Sequence, residues 1–383
     1  MTPDPTPTRR AALSLLAGGA VVAACGEGAV PQEAVARRPE RPVRSPVLRP
    51  APRLALRPSG LDAALLERAD ARANELTQLR AMIVARNGEV LLERAYRGPD
   101  LGTPVNIKSA SKTVLALTAG AAMEAGVVPG LDTPAVGLIG GAPEGADPRV
   151  GDITIAHLLS MRAGLQSTSG RNYGPWAVSR NPVRHALTRP MVDAPGGAVI
   201  YSTGTSHLTS AVLTAASGTS TLALVRRFIG EPLGIRVPAW ERDPTGLYYG
   251  GNNMMLSPRD LLRIGEMCRL GGTIDGTRVL TPEWLEASWQ PRGVSRWSGA
   301  GYGYGWWLAD TVVGGRALTV RYAWGYGGQM LYVVPELGLS VVITSASDPS
   351  QTERGHVGRL HRMVGSLILP AVLADAPTAP VPA

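Results

Sequence analysis

The sequence predicts an α+β fold in two lobes: an antiparallel sheet built from both chain ends, with a mainly helical lobe inserted between. Three observations carry this prediction. Largely apolar runs occur near residues 81–95, and runs rich in Val, Tyr and Trp over 303–344. The segments between them are apolar at helical spacing. No internal repeat divides the chain. Strands at the two ends can pair only if the chain returns on itself, leaving the helices as an inserted layer.

The elements follow in order. Leu61, Ala64, Leu65, Ala69, Ala73 and Leu76 share one helical face. Apolar runs over 81–85 and 90–95 flank Asn87-Gly88, whose tolerance of positive φ suits a tight hairpin. Helices are expected over 109–125, 154–162, 204–217, 219–232, 257–270 and 281–289. Strands are expected over 303–310, 317–324, 328–334 and 339–344, bounded by turn residues. A helix over 355–369 closes the folded body, residues 61–372, and 373–383 form a disordered tail.

Composition narrows the class. With 383 residues, 44% hydrophobic and 18% charged, the chain is too apolar for a disordered protein and too polar for a multi-span membrane protein. Its two cysteines, Cys25 and Cys268, exclude a disulfide framework and a cysteine-built metal site. Cys268, among Leu261, Leu262, Ile264 and Leu270, reads as a small core residue. The net charge of +8 is concentrated at the N-terminus. Nine arginines against four carboxylates leave residues 1–60 at +5, and residues 61–383 hold the remaining +3. A nucleic-acid-binding face on the body is therefore not expected.

The first 25 residues resemble an export signal. Arg9-Arg10 precedes an apolar run from Ala11 to Ala24, fourteen residues and too short to span a bilayer. The paired arginines resemble a twin-arginine signal. Val22-Ala23-Ala24-Cys25 resembles a lipobox, in which Cys25 would be acylated and anchor the protein to a membrane. An ordinary signal cut near Ala24 is the alternative. Residues 26–60 are rich in Pro and Arg without apolar periodicity, which describes a tether. The expected location is the periplasm or cell envelope.

Chemistry is marked by the lysines. Of 38 basic residues only Lys108 and Lys112 are lysine. Arginine holds its proton near neutral pH, whereas a buried lysine can release one and act as a base. Ser109 and Lys112 stand at i and i+3 at the start of an apolar helix, so they share a face. A serine needs such an adjacent proton acceptor to become a nucleophile. Backbone N–H groups at the helix start favour an oxyanion. The bland reading is a capped helix with two solvated lysines. For Lys108, a solvated helix-start side chain is the preferred reading. No Gly-x-Ser-x-Gly elbow and no His-Glu-x-x-His occur, and His356 and His361 read as surface residues.

Two more segments complete the pattern. Pro195-Gly196-Gly197 leads through a short extended piece to Tyr201-Ser202-Thr203 at a helix start, and Tyr326-Gly327-Gly328-Gln329 precedes an apolar strand. Ser109-Ala110-Ser111-Lys112, Tyr201-Ser202-Thr203 and Tyr326-Gly327-Gly328, in this order, resemble the Ser-x-x-Lys, Tyr-x-Asn and Lys-Thr-Gly motifs of the serine β-lactamase-like superfamily. The likeness is nearest to its class C β-lactamase, esterase and 6-aminohexanoate-dimer hydrolase branch, over residues 61–370.

That resemblance implies an enzyme: a serine hydrolase cleaving a small amide or ester through an acyl-enzyme, without metal or organic cofactor. Ser109, Lys112 and Tyr201 would be catalytic. The backbone N–H groups of Ser109 and Gln329 would hold the oxyanion. Tyr173, Tyr326, Gly327 and Gly328 would bind substrate. Thr203 in place of asparagine and Tyr326 in place of lysine depart from the β-lactamase pattern and favour the amide- and ester-cleaving members. A D-amino-acid peptidase or β-lactamase acting on cell-wall-like substrates, and a non-catalytic peptidoglycan-binding lipoprotein, are the alternatives.

Overall fold

The computed structural model describes residues 61–373. The expected export signal, Cys25, the tether and the last ten residues of the tail lie outside them.

Among the described residues, seven strands form one antiparallel sheet: β1 (Leu79–Arg86), β2 (Glu89–Ala95), β3 (Gly301–Tyr302), β4 (Trp307–Val313), β5 (Arg316–Gly325), β6 (Gln329–Val334) and β7 (Leu339–Ser345). Their spatial order is β2-β1-β7-β6-β5-β4-β3, so the first and last strands pair inside the sheet. Asn87 (φ 50°) and Gly88 (φ 83°) turn the β1–β2 hairpin as their types predict. β6 and β7 are buried along their whole length. Both faces of the sheet are covered, which is why these strands read as continuous apolar runs rather than alternating ones.

One face carries Met82, Val84, Met330, Tyr332, Val341 and Ile343. It packs on α1 (Ala63–Glu75) and on the closing helix, which starts as His356–Met363 and runs through a wider turn to Leu373. The opposite face carries Ile83, Leu331, Val333 and Val342 and packs on the inserted lobe. Within that lobe are α2 (Ser111–Glu124), α3 (Thr203–Ser217) and α4 (Pro258–Arg269). Ser257 and Asp260 close a reciprocal capping box at the start of α4, as the sequence Ser-Pro-Arg-Asp suggests.

Two expectations need correction. The strand expected over 303–310 begins only at Trp307. Gly305 (φ 74°) turns the chain where a Cβ would lie 2.8 Å from the Lys112 carbonyl oxygen, so 303–305 is a buried turn against α2. The helix expected over 219–232 runs without a break from Thr221 to Leu233, with one wider turn at Arg226–Gly230. His356 is not a surface residue, and His361 is half-buried. His356 is buried with Nε2 3.0 Å from Ser345 Oγ, and His361 Nδ1 lies 3.2 Å from Tyr332 OH. Burial pushes both imidazoles down to about 4. Cys268 is buried in the core, and burial raises its thiol far above the usual range.

Candidate active site

The nucleophile candidate sits on a strained start. Val105–Asn106 pairs with Met255–Leu256, and Ile107 N–H donates to the Met254 carbonyl at 3.0 Å. A 3-10 turn, Lys108–Ala110, then leads into α2, with Ser111 Oγ donating to the Lys108 carbonyl at 2.6 Å. The end of β5 presses on this turn. A Cβ on Gly325 would lie 2.3 Å from the Ile107 carbonyl oxygen, so only glycine lets sheet and turn meet.

One turn further, Lys112 is 4% exposed. Its Nζ lies 2.9 Å from Ser109 Oγ and 2.7 Å from the Gly251 carbonyl oxygen. Burial lowers this lysine from 10.5 to about 7. When the amine is neutral, an N–H can still donate to Gly251 while the lone pair accepts the Ser109 proton. The Tyr201 ring centroid stands 5.0 Å from Nζ. Burial raises the Tyr201 phenol well above its usual range, opposed by a hydrogen bond with Ser109. The three residues thus converge on one hydroxyl.

Tyr201 is held by a polar zipper. Ser167 Oγ donates to the Tyr201 carbonyl at 2.7 Å, Thr168 N–H donates to Ser202 Oγ at 3.1 Å, and Thr203 N–H donates to Ser169 Oγ at 2.9 Å. Ser202 also caps α3 by accepting from Thr205 N–H. Thr203 therefore secures the loop that carries Tyr201, its Oγ1 lying 3.0 Å from Ser169 Oγ. The Tyr201 ring packs on Tyr302 and Trp307, with centroids at 6.0 and 5.2 Å.

Gly251 was not anticipated from the sequence, nor was the pair that supports it. His207 Nε2 lies 2.9 Å from Asp243 Oδ2, both side chains fully buried. Gly250 N–H donates to His207 Nδ1 at 3.2 Å, which makes Nδ1 an acceptor and leaves the ring proton on Nε2, toward the carboxylate. Ser206 Oγ donates to the Gly250 carbonyl at 3.0 Å. A Cβ on Gly251 (φ 71°) would overlap Ser206 Oγ at 1.8 Å. This network fixes the carbonyl that receives Lys112. The Gly-Gly dipeptide at 250–251 was the available signal, but nothing local connects it to Lys112.

The remaining candidates are placed as follows. Gln329 opens β6 opposite Gly325, and its side chain pairs with the Ser345 backbone, Nε2 donating to the carbonyl at 2.6 Å. Gly327 (φ 81°) and Gly328 (φ 101°) form the preceding turn. A Cβ on Gly327 would lie 2.6 Å from the Ala346 oxygen, and one on Gly328 2.8 Å from Leu360, so packing already demands both glycines. Gln78 Nε2 secures the turn by donating to the Gly327 carbonyl at 2.8 Å. Tyr326 is 54% exposed, with its hydroxyl 3.4 Å from Thr352 Oγ1. Tyr173 accepts a 2.6 Å hydrogen bond from Asn252 Nδ2 and lines a cleft of about 700 Å³ with Lys108 and Trp240. Among the described residues, no group of three His, Cys, Asp or Glu stands together as metal ligands.

Comparison with known proteins places the fold. No curated protein matches the chain. Solved structures with the same fold include a Bacillus anthracis protein assigned as a 6-aminohexanoate-dimer hydrolase (17% identity, TM-score 0.63, covering 82% of this chain and 83% of that one). EstCE1, a hydrolase with promiscuous acyltransferase activity, aligns at 19% identity and TM-score 0.63 over 82% of this chain and 99% of its own. An octameric penicillin-binding protein homologue from Pyrococcus abyssi aligns at 19% and 0.60, covering 80% and 79%. The Beta-lactamase family model matches residues 76–364, taking in Ser109, Lys112, Tyr201 and the Tyr326-Gly327-Gly328 turn. The chain belongs to the Beta-lactamase family, a family of serine hydrolases.

Proposed function

We propose that this protein is an exported hydrolase that cleaves an amide or ester through an acyl-enzyme on Ser109. The observation that carries this reading is the buried Lys112 amine, 2.9 Å from Ser109 Oγ and lowered to about 7. Neutral Lys112 accepts the Ser109 proton as Oγ attacks the carbonyl carbon. Tyr201, beside both groups, passes that proton to the departing amine or alkoxide. The backbone N–H groups of Ser109 and Gln329 hold the oxyanion in this scheme. Water then attacks the acyl-enzyme, giving its proton back through the same pair, and the acid leaves.

The scheme makes pH a direct test. Lys112 must be neutral in the free enzyme, so kcat/KM should rise with pH along an acid limb centred at about 7 and level off above it. A short-chain p-nitrophenyl ester, corrected for background hydrolysis, reports this. A profile flat from pH 5 to 9 would remove Lys112 from the role of base.

Export rests on residues 1–25, and anchoring on Cys25. Cys25→Ser should move the protein from the membrane fraction to the soluble fraction or leave it unprocessed. Identical membrane fractionation of the variant and parent would overturn the lipid anchor.

A further inference from the structure

Lys108 is one of two lysines among 38 basic residues, and its placement differs from the solvated helix start that the sequence suggests. Its backbone is left-handed, with φ 49°. That conformation suits glycine, and an unbranched cationic side chain gains nothing locally by adopting it. The other described non-glycine residues with positive φ are Asn87, Met161, Asn253 and Asp275, three of them types that tolerate the region. Substituting glycine would relieve the strain, yet this position carries a lysine.

The strain is held by a chain of amides. Lys108 N–H donates to Asn106 Oδ1 at 2.9 Å, Asn106 Nδ2 donates to Asn253 Oδ1 at 3.2 Å, and Asn253 Nδ2 donates to Glu241 Oε2 at 2.7 Å. Glu241, the anion of the same cleft, is thereby tied to Asn253, and no ion pair joins it to Lys108. Among the described residues, the Lys108 side chain has no hydrogen-bond, ion-pair or ring partner. It is half-buried and lines the cleft of about 700 Å³, and Ser109 is the next residue of the chain. Tyr326, at the motif position where the family's lysine would stand, brings no cation to the site.

We propose that Lys108 is an anion-binding subsite that selects esters or amides carrying a carboxylate on the acyl or leaving-group side. The proposal rests on the acyl-enzyme reading above. A carboxylate seated in this cleft would form a charge-assisted contact with the Lys108 side chain, and its neighbouring carbonyl would reach toward Ser109.

The test compares paired substrates: mono-p-nitrophenyl adipate against p-nitrophenyl hexanoate, and 4-acetoxybenzoate against its methyl ester. For each pair, the ratio of kcat/KM for the charged over the neutral member is measured in parent, Lys108→Met, Lys108→Gly and Lys108→Arg. In at least one pair the ratio should fall tenfold or more in the Met and Gly variants and stay within threefold of the parent in the Arg variant. Lys108→Gly should also melt no lower than the parent, because it relieves the left-handed strain. Ratios within threefold of the parent for both pairs in the Met and Gly variants would overturn the subsite. Failure of the underlying reading shows separately, as absence of Ser109 labelling by a serine-reactive phosphonate in the parent protein.

Discussion

Ser109→Ala should abolish labelling by a fluorescent phosphonate and lower kcat for any ester on the order of 10⁵–10⁶-fold, the scale of losing a covalent nucleophile. The fold should hardly notice. Ser109 is half-buried, and the substitution removes its hydrogen bonds with Lys112 and Tyr201, each worth about 1 kcal/mol. Lys112 keeps its bond to the Gly251 carbonyl, and its lowered pKa comes from burial, which the alanine leaves in place. A fold that served only to bind peptidoglycan fragments would behave differently: the parent would not label either. Equal labelling of parent and variant would move the nucleophile elsewhere and end the acyl-enzyme reading.

The part of this site that was legible in the sequence is the part written locally. Ser109 and Lys112 are one helical turn apart, and the scarcity of lysine singled the pair out. Tyr201 was legible because Pro-Gly-Gly, an extended piece and a helix start describe a residue at a tip. What could not be read is contact across the chain. Gly251 lies 139 residues from Lys112, and Asp243 lies 36 from His207; no local pattern links them. The same limit explains 303–310. Its Gly-Tyr-Gly-Trp run has strand-like residues, but Thr113 Oγ1 donates to the Gly305 carbonyl at 2.6 Å and holds the segment as a turn on α2. His356 was misread for a different reason. Its polarity suggested the surface, although His356, Leu360 and Met363 stand at i, i+4 and i+7 on the buried face of their helix.

The sharpest expected contrast lies between Lys112→Arg and Lys112→Met. Arginine keeps a positive charge at this site but does not give up its proton, so it cannot receive one from Ser109. Lys112→Arg should therefore cost at least the roughly 10²–10⁴-fold typical of losing a general base. Because Lys112 is 4% exposed, the larger guanidinium also risks the fold. Lys112→Met, similar in volume and uncharged, supplies the control and should lose activity to the same degree. The two variants separate in stability. The folded-state pKa of Lys112 is lowered from 10.5 to about 7, so the folded parent carries the full cost of a buried ammonium below pH 7. That cost fades as pH rises from 7 toward 10.5, where the unfolded chain still binds the proton and the folded protein does not. Methionine removes the cost at every pH. The thermal midpoint of Lys112→Met relative to the parent should thus be highest at pH 6 and decline toward pH 10, while its activity stays lost throughout. Lys112→Arg should show the same decline relative to the parent, since the decline is the parent's own titration, but from a lower midpoint at every pH, because its buried charge is never given up. If Lys112→Arg retained most of its kcat, proton acceptance by this lysine would be wrong. If Lys112→Met were equally destabilised at pH 6 and pH 10, the lysine would be carrying its ordinary charge in the folded protein, and some other group would have to take the Ser109 proton.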